Sequence, residues 1–92
     1  MSLVIGDLIW DDWNEEHIAR HNVRTEEVEQ VCFGDPWVIR ARGEGKYAAY
    51  GQTEAGRYLL VVLGSRGAGS FYPITAREMT PPEKRRYQRH RR

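Results

Sequence analysis

Cysteine is almost missing from this 92-residue chain. Its one thiol, Cys32, has no internal partner for a disulfide, and no Cys/His cluster around it has the spacing of a zinc site. A reducing cytosol is therefore the expected setting. Long apolar runs are absent as well: the longest aliphatic stretch, residues 59–63, is far short of the roughly 20 residues that span a bilayer. Residues 1–10 lack the basic start of a secretory leader and lead into Asp11 and Asp12, so no export is expected. There is no GxxxxGK[ST], no HExxH and no paired CxxC, and the glycines within 64–69 do not match a dinucleotide-binding loop. No cofactor is expected. His17 and His21 stand four apart, a spacing that permits a zinc pair, but a third ligand is missing and a polar helix face is the preferred reading.

What is present suits one folded domain over residues 1–92, since 40% of residues are hydrophobic and 29% carry charges of mixed sign. The net charge of +1 conceals a segregation. Residues 1–36 hold nine acids against Arg20 and Arg24, a net of −7, while residues 37–92 hold twelve Lys/Arg against four acids, a net of +8. Such a basic half can attract phosphates, and the same pattern arises when two halves of a small fold neutralise each other. Both readings stand at this point.

The periodicity predicts an α+β fold. Residues 7–10 read as a short first strand, after which Asp11 or Asp12 can cap a helix reaching His21. Thr25 offers a second N-cap, and Val28, Val31 and Cys32 form one apolar stripe over 26–33 before Gly34-Asp35-Pro36 stops the helix. Residues 37–41, 46–52, 57–65 and 70–77 are rich in β-branched and aromatic residues and are joined by hairpin-length turns, which predicts a four-stranded antiparallel meander. Residues 58–63 are apolar at every position, as a central strand covered on both faces would be. Thr80-Pro81-Pro82-Glu83 combines an N-cap, first-turn prolines and the glutamate of a capping box, so a last, strongly basic helix starts there.

The cations carry the candidate chemistry. Arg66 ends the central strand, Arg77 ends the last strand and Tyr87 lies on the final helix; Arg66 and Arg77 flank one hairpin and can be neighbours across it. Guanidinium groups match phosphate geometry and stabilise charge developing on its oxygens. RNA needs no metal to react: its 2′-hydroxyl attacks the adjacent phosphate when other groups move the protons, a task open here to His21, Glu78 or Tyr87. The structural alternative is an Arg77 ion pair, a Tyr87 ring in the core and a solvated basic helix face, and from spacing alone it is the stronger. Tyr47, Tyr50, Tyr58, Phe71 and Tyr72 could stack bases, although strands commonly use such residues for packing.

Taken in order, Ile9-Trp10-Asp11 with residues 14–23, residues 26–31 with 33–36, residues 56–62, and residues 74–79 with 83–87 resemble the BrnT family of toxins over nearly the whole chain. The resemblance implies a RelE-like fold and a ribonuclease that arrests translation. It implies a BrnA-type antitoxin as partner, with DNA reached only through that antitoxin. On matching positions it points to His21, Arg66, Arg77 and Tyr87 as catalytic residues, with the arginines on phosphate and His21 or Tyr87 on protons. Lys46, Arg57, Lys84 and Arg85 are expected to bind the RNA. The glycine-rich hairpin at 67–70 beside Arg66 departs from the family pattern. The alternative function is a non-catalytic module binding nucleic acid or protein.

Overall fold

Asp11 converts strand into helix. Its carboxylate accepts the Asn14 N–H at 3.0 Å while the Asn14 side chain accepts the Asp11 N–H at 2.9 Å, a reciprocal cap that satisfies two otherwise orphaned donors. Asn14 is fully buried, and its amide also donates to Ile9 O at 2.9 Å, which ties the helix to the strand before it. In the computed structural model, which describes residues 3–91, the chain order is β1 (Asp7–Leu8), α1 (Asp12–Ala19), α2 (Thr25–Phe33), β2 (Trp37–Arg40), β3 (Lys46–Gln52), β4 (Tyr58–Ser65), β5 (Ser70–Glu78) and α3 (Pro81–His90).

The architecture is α+β, as the sequence predicts, but the sheet has five strands in the order β1-β5-β4-β3-β2. Strands β2 to β5 form the expected antiparallel meander; β1 adds to it in parallel, beside β5. Pro73 has no N–H to give either neighbour. Accordingly β1 stops opposite Phe71, and the β4/β5 register shifts so that Val62 faces Thr75 and Leu63 faces Pro73, with Ile74 the extra residue of a bulge. The cap of α2 also differs from expectation. Arg24, not Thr25, holds that position, because Glu27 supplies the acceptor for the Arg24 N–H at 3.0 Å.

Each face of the sheet has its own core. Ile18, Val23, Val28, Val31 and Cys32 of the α1/α2 layer pack on Ala49, Leu59, Val61, Leu63, Phe71 and Ala76. Helix α2 lies so close that a Cβ on Gly51 would stand 2.8 Å from Val31 Cγ1. On the opposite face Tyr87 of α3 packs with Ala48, Tyr50 and Leu60. Among the described residues no helix is long and apolar enough to cross a membrane.

Candidate functional site

The register sorts the side chains of the α3 face into rows. Trp37, Tyr50, Leu60 and Arg77 share one row; Ile39, Ala48, Val62 and Thr75 share the next; Lys46, Gly64 and Tyr72 follow, and Arg66 lies just beyond. Helix α3 covers only the first end of this face. Lys84 Nζ sits 4.3 Å from the Tyr58 ring centroid, the Tyr87 ring meets Tyr58 edge-on at 6.0 Å, and His90 stacks on Trp37 at 4.4 Å. Further along the face Ile39, Val62, Ile74 and Thr75 are only half-buried, and they form an apolar floor.

Arg66 and Arg77 stand at opposite ends of that floor. Arg77 pairs with Leu60, and Arg66, one residue past the end of β4, is six residues further along the chain, about 20 Å at the rise of a β-strand. The expectation that both arginines meet across one hairpin is therefore corrected: Arg66 is at the turn and Arg77 at the open end. Arg77 is also engaged, with its two terminal nitrogens 2.8 and 2.9 Å from the two Glu83 oxygens. The Arg77 hydrogen bonds are the main reason that the Glu83 carboxyl drops to about 2.

The other expected site residues are scattered. His21 follows α1 on the opposite layer, separated by the sheet from Arg66, Arg77 and Tyr87, so no single site unites the four. Its ring meets His17 edge-on at 5.8 Å, and His17 stacks on Trp13 at 5.0 Å. Tyr87 is 4% exposed and built into the core beneath α3. Arg57, expected on RNA, belongs instead to the α2 side: one terminal nitrogen donates to Glu27 Oε1 at 2.9 Å and to Asn22 O at 2.8 Å, while Nε reaches Glu78 at 3.1 Å. Glu78, a proton-transfer candidate, is thereby tied to Arg57. Burial opposes charge on Glu27, yet the Arg24 N–H and the Arg57 guanidinium still hold its carboxyl below the usual range.

The helical repeat separates the basic residues of α3. Lys84, Gln88 and Arg91 flank the Tyr58 and Asp35 side, whereas Glu83 and His90 flank the Arg77–Trp37 row. At 100° per residue Arg86 falls on the second flank, facing the open floor, and Arg85 points away from the sheet. Lys46, Arg66 and Arg86 have no carboxylate partner among the described residues, so the floor is rimmed by free cations.

Two residues of this rim, Arg86 and His90, escaped the sequence reading, and Tyr72 was expected there only as a ring that could stack a base or pack in the sheet. For Arg86 and His90 the available signal was the phase of α3 relative to Tyr87. Tyr72 lies under the Arg66 guanidinium, 5.0 Å from carbon to ring centroid, and its hydroxyl donates to both Asp11 oxygens at 2.9 and 3.0 Å. Burial, and then that hydrogen bond, hold the Tyr72 hydroxyl above its usual pKa. Among the described residues, no group of three or more His, Cys, Asp or Glu is placed to hold a metal ion. Burial pushes the Cys32 thiol up to about 12, which makes it a core residue and not a nucleophile.

A family model described as "Ribonuclease toxin, BrnT, of type II toxin-antitoxin system" matches residues 10–83. This chain belongs to the BrnT family. The BrnT match runs from Trp10, at the exit of β1, to Glu83, the partner of Arg77, and so includes every strand from β2 to β5. The fold is similar to the crystal structure of the Brucella abortus ribonuclease toxin BrnT, with a TM-score of 0.65 and 18% identity over 80% of this chain and 96% of that one. No curated protein matches the sequence. As a BrnT-family member the chain is a ribonuclease toxin of a type II toxin–antitoxin system, with RNA as substrate and an antitoxin as partner.

Proposed function

We propose that the chain, acting as one domain over residues 1–92, is a metal-independent endoribonuclease that binds RNA across the open half of the α3 face, and that it is neutralised by a BrnA-type antitoxin. The observation that carries the site is the apolar floor of Ile39, Val62, Ile74 and Thr75, rimmed by Lys46 and Arg66 at one end and by Arg77, Arg86 and His90 at the other. Bases can lie on such a floor while the phosphates meet the cations. Lys46, Arg66 and Arg86 hold phosphates. Arg77, whose side chain is 40% exposed despite its pair with Glu83, lies where charge develops during in-line attack by the 2′-hydroxyl. His90 is the imidazole of this rim and the group for proton transfer. His21, across the sheet, has no part in this reaction. Helices on both faces of the β2–β5 meander support placing the fold with the RelE group, and the activity belongs in the cytoplasm, where translation is arrested.

Controlled expression tests the reading. Wild type is expected to arrest growth, and Arg66→Ala, Arg86→Ala or coexpression of the antitoxin to relieve the arrest. Purified toxin is expected to cleave RNA in EDTA. Cleavage that depends on added divalent metal would overturn metal independence, and arrest unchanged by both substitutions would remove RNA from this face.

A further inference from the structure

Arg66 stands beside a hairpin that should leave it loose. Gly67, Ala68 and Gly69 all have positive φ, at 87°, 54° and 82°, and the turn carries no side chain large enough to brace an arginine. The Arg66 side chain is nevertheless placed. Its guanidinium lies over the Tyr72 ring and also reaches Ser65 O at 3.3 Å. Gly64 provides the room, since a Cβ there would come within 3.1 Å of Arg66 Nη1. Tyr72 in turn is clamped by the Asp11 carboxylate, the same group that caps α1 through the Asn14 N–H. The Asn14 N–H and Tyr72 both help hold Asp11 ionised.

We propose that Tyr72 is the positioning residue for Arg66: a ring fixed by Asp11 that aims the guanidinium at an RNA phosphate on the open floor. The inference rests on Arg66 binding RNA, as set out above, and adds the residue through which that binding is organised. The arrangement suits the task. A ring partner beneath the guanidinium, with one N–H on Ser65 O, leaves the remaining N–H donors available for phosphate, whereas a bidentate carboxylate partner would consume them. Because Tyr72 donates its own proton to Asp11, it acts through Arg66 and not on the reacting atoms.

The test measures binding of a single-stranded 2′-O-methyl RNA oligonucleotide, which has no free 2′-hydroxyl for attack, across a salt series. Arg66→Ala is expected to weaken binding and to reduce the slope of log affinity against log salt by about 0.7, the change for one phosphate of a single strand left unneutralised. Tyr72→Val, a residue suited to a strand, is expected to weaken binding about fivefold and move the slope toward the Arg66→Ala value. Tyr72→Trp is expected to restore both, and Tyr72→Val added to Arg66→Ala to change neither. A structural role for Tyr72 would instead leave the slope alone or add its loss to that of Arg66→Ala, and either result overturns the proposal. Wild-type binding by Tyr72→Val beside defective Arg66→Ala overturns the positioning role alone. Wild-type binding by Arg66→Ala overturns RNA binding by Arg66 and the positioning role with it. If Tyr72→Val does not fold, Tyr72→Phe carries the test: binding weaker than wild type supports the Asp11–Tyr72–Arg66 chain, and wild-type binding overturns it.

Discussion

Arg77 and Glu83 meet in a bidentate pair, 2.8 and 2.9 Å apart, across the junction between β5 and α3. Glu83 simultaneously accepts the Thr80 N–H at 2.8 Å, so one carboxylate caps α3 and fastens it to the sheet. That double use couples helix placement to pH. With Glu83 at about 2 when folded and 4.5 as its ordinary value, the stabilisation is complete above the ordinary value and is lost as pH falls through about 2. Because Arg77 is 40% exposed, the full shift overstates the effect, and about 2 kcal/mol is expected. Glu83→Gln should flatten this part of the acid-unfolding curve; a curve unchanged between pH 5 and 2 would show that the pair contributes nothing.

Arg57 should behave as a structural residue. Its partner Glu27 is only 8% exposed at the side chain, against 28% for Arg57. Removing either member leaves the other poorly compensated, a loss of about 2 kcal/mol after discounting for the exposure of Arg57. Urea unfolding of Arg57→Met should show that loss, while the salt dependence of RNA binding stays as in wild type. A shallower slope would return Arg57 to the RNA site.

The basic residues of α3 should not be equivalent. Arg86→Ala is expected to weaken RNA binding about tenfold and reduce the salt slope, as follows when one phosphate is no longer neutralised. Arg85→Ala, on the outward flank, should have little effect on either. Equal losses from the two would mean a diffuse electrostatic tail and no oriented groove.

Cys32 should react only when the core opens. It is 3% exposed and its thiol is pushed up to about 12, so little thiolate forms near neutrality. Alkylation monitored by mass spectrometry should follow the unfolding transition in urea. Rapid labelling without denaturant would place a functional thiol where the structure has a core residue.

Much of this organisation was legible in the residues. The all-apolar stretch at 58–63 did become the middle strand, with Leu59, Val61 and Leu63 buried on one face and Leu60 on the other, while Val62 reaches the open floor. The capping box at Thr80 and Glu83 formed as its residues dictate. The parallel pairing of β1 was not legible, since Asp7-Leu8 is too short to show a pattern and its partner Ser70-Phe71 is remote in the chain. The site was harder still. Proximity in sequence across a hairpin suggested that Arg66 and Arg77 were neighbours, but the strand between them separates the two by its whole length.

The sequence by itself determined the family, the α+β order of elements and the segregation of charge, because periodicity, caps and turn residues act over a few positions. Only the tertiary structure decided which cations are free. Arg57 and Arg77 are taken by Glu27 and Glu83, whereas Arg66 rests on a tyrosine ring, gives one N–H to Ser65 O and meets no carboxylate among the described residues. The reason is geometric: an ion pair is chosen by register, helix phase and the side of the sheet, and none of these is carried by the charged residue itself.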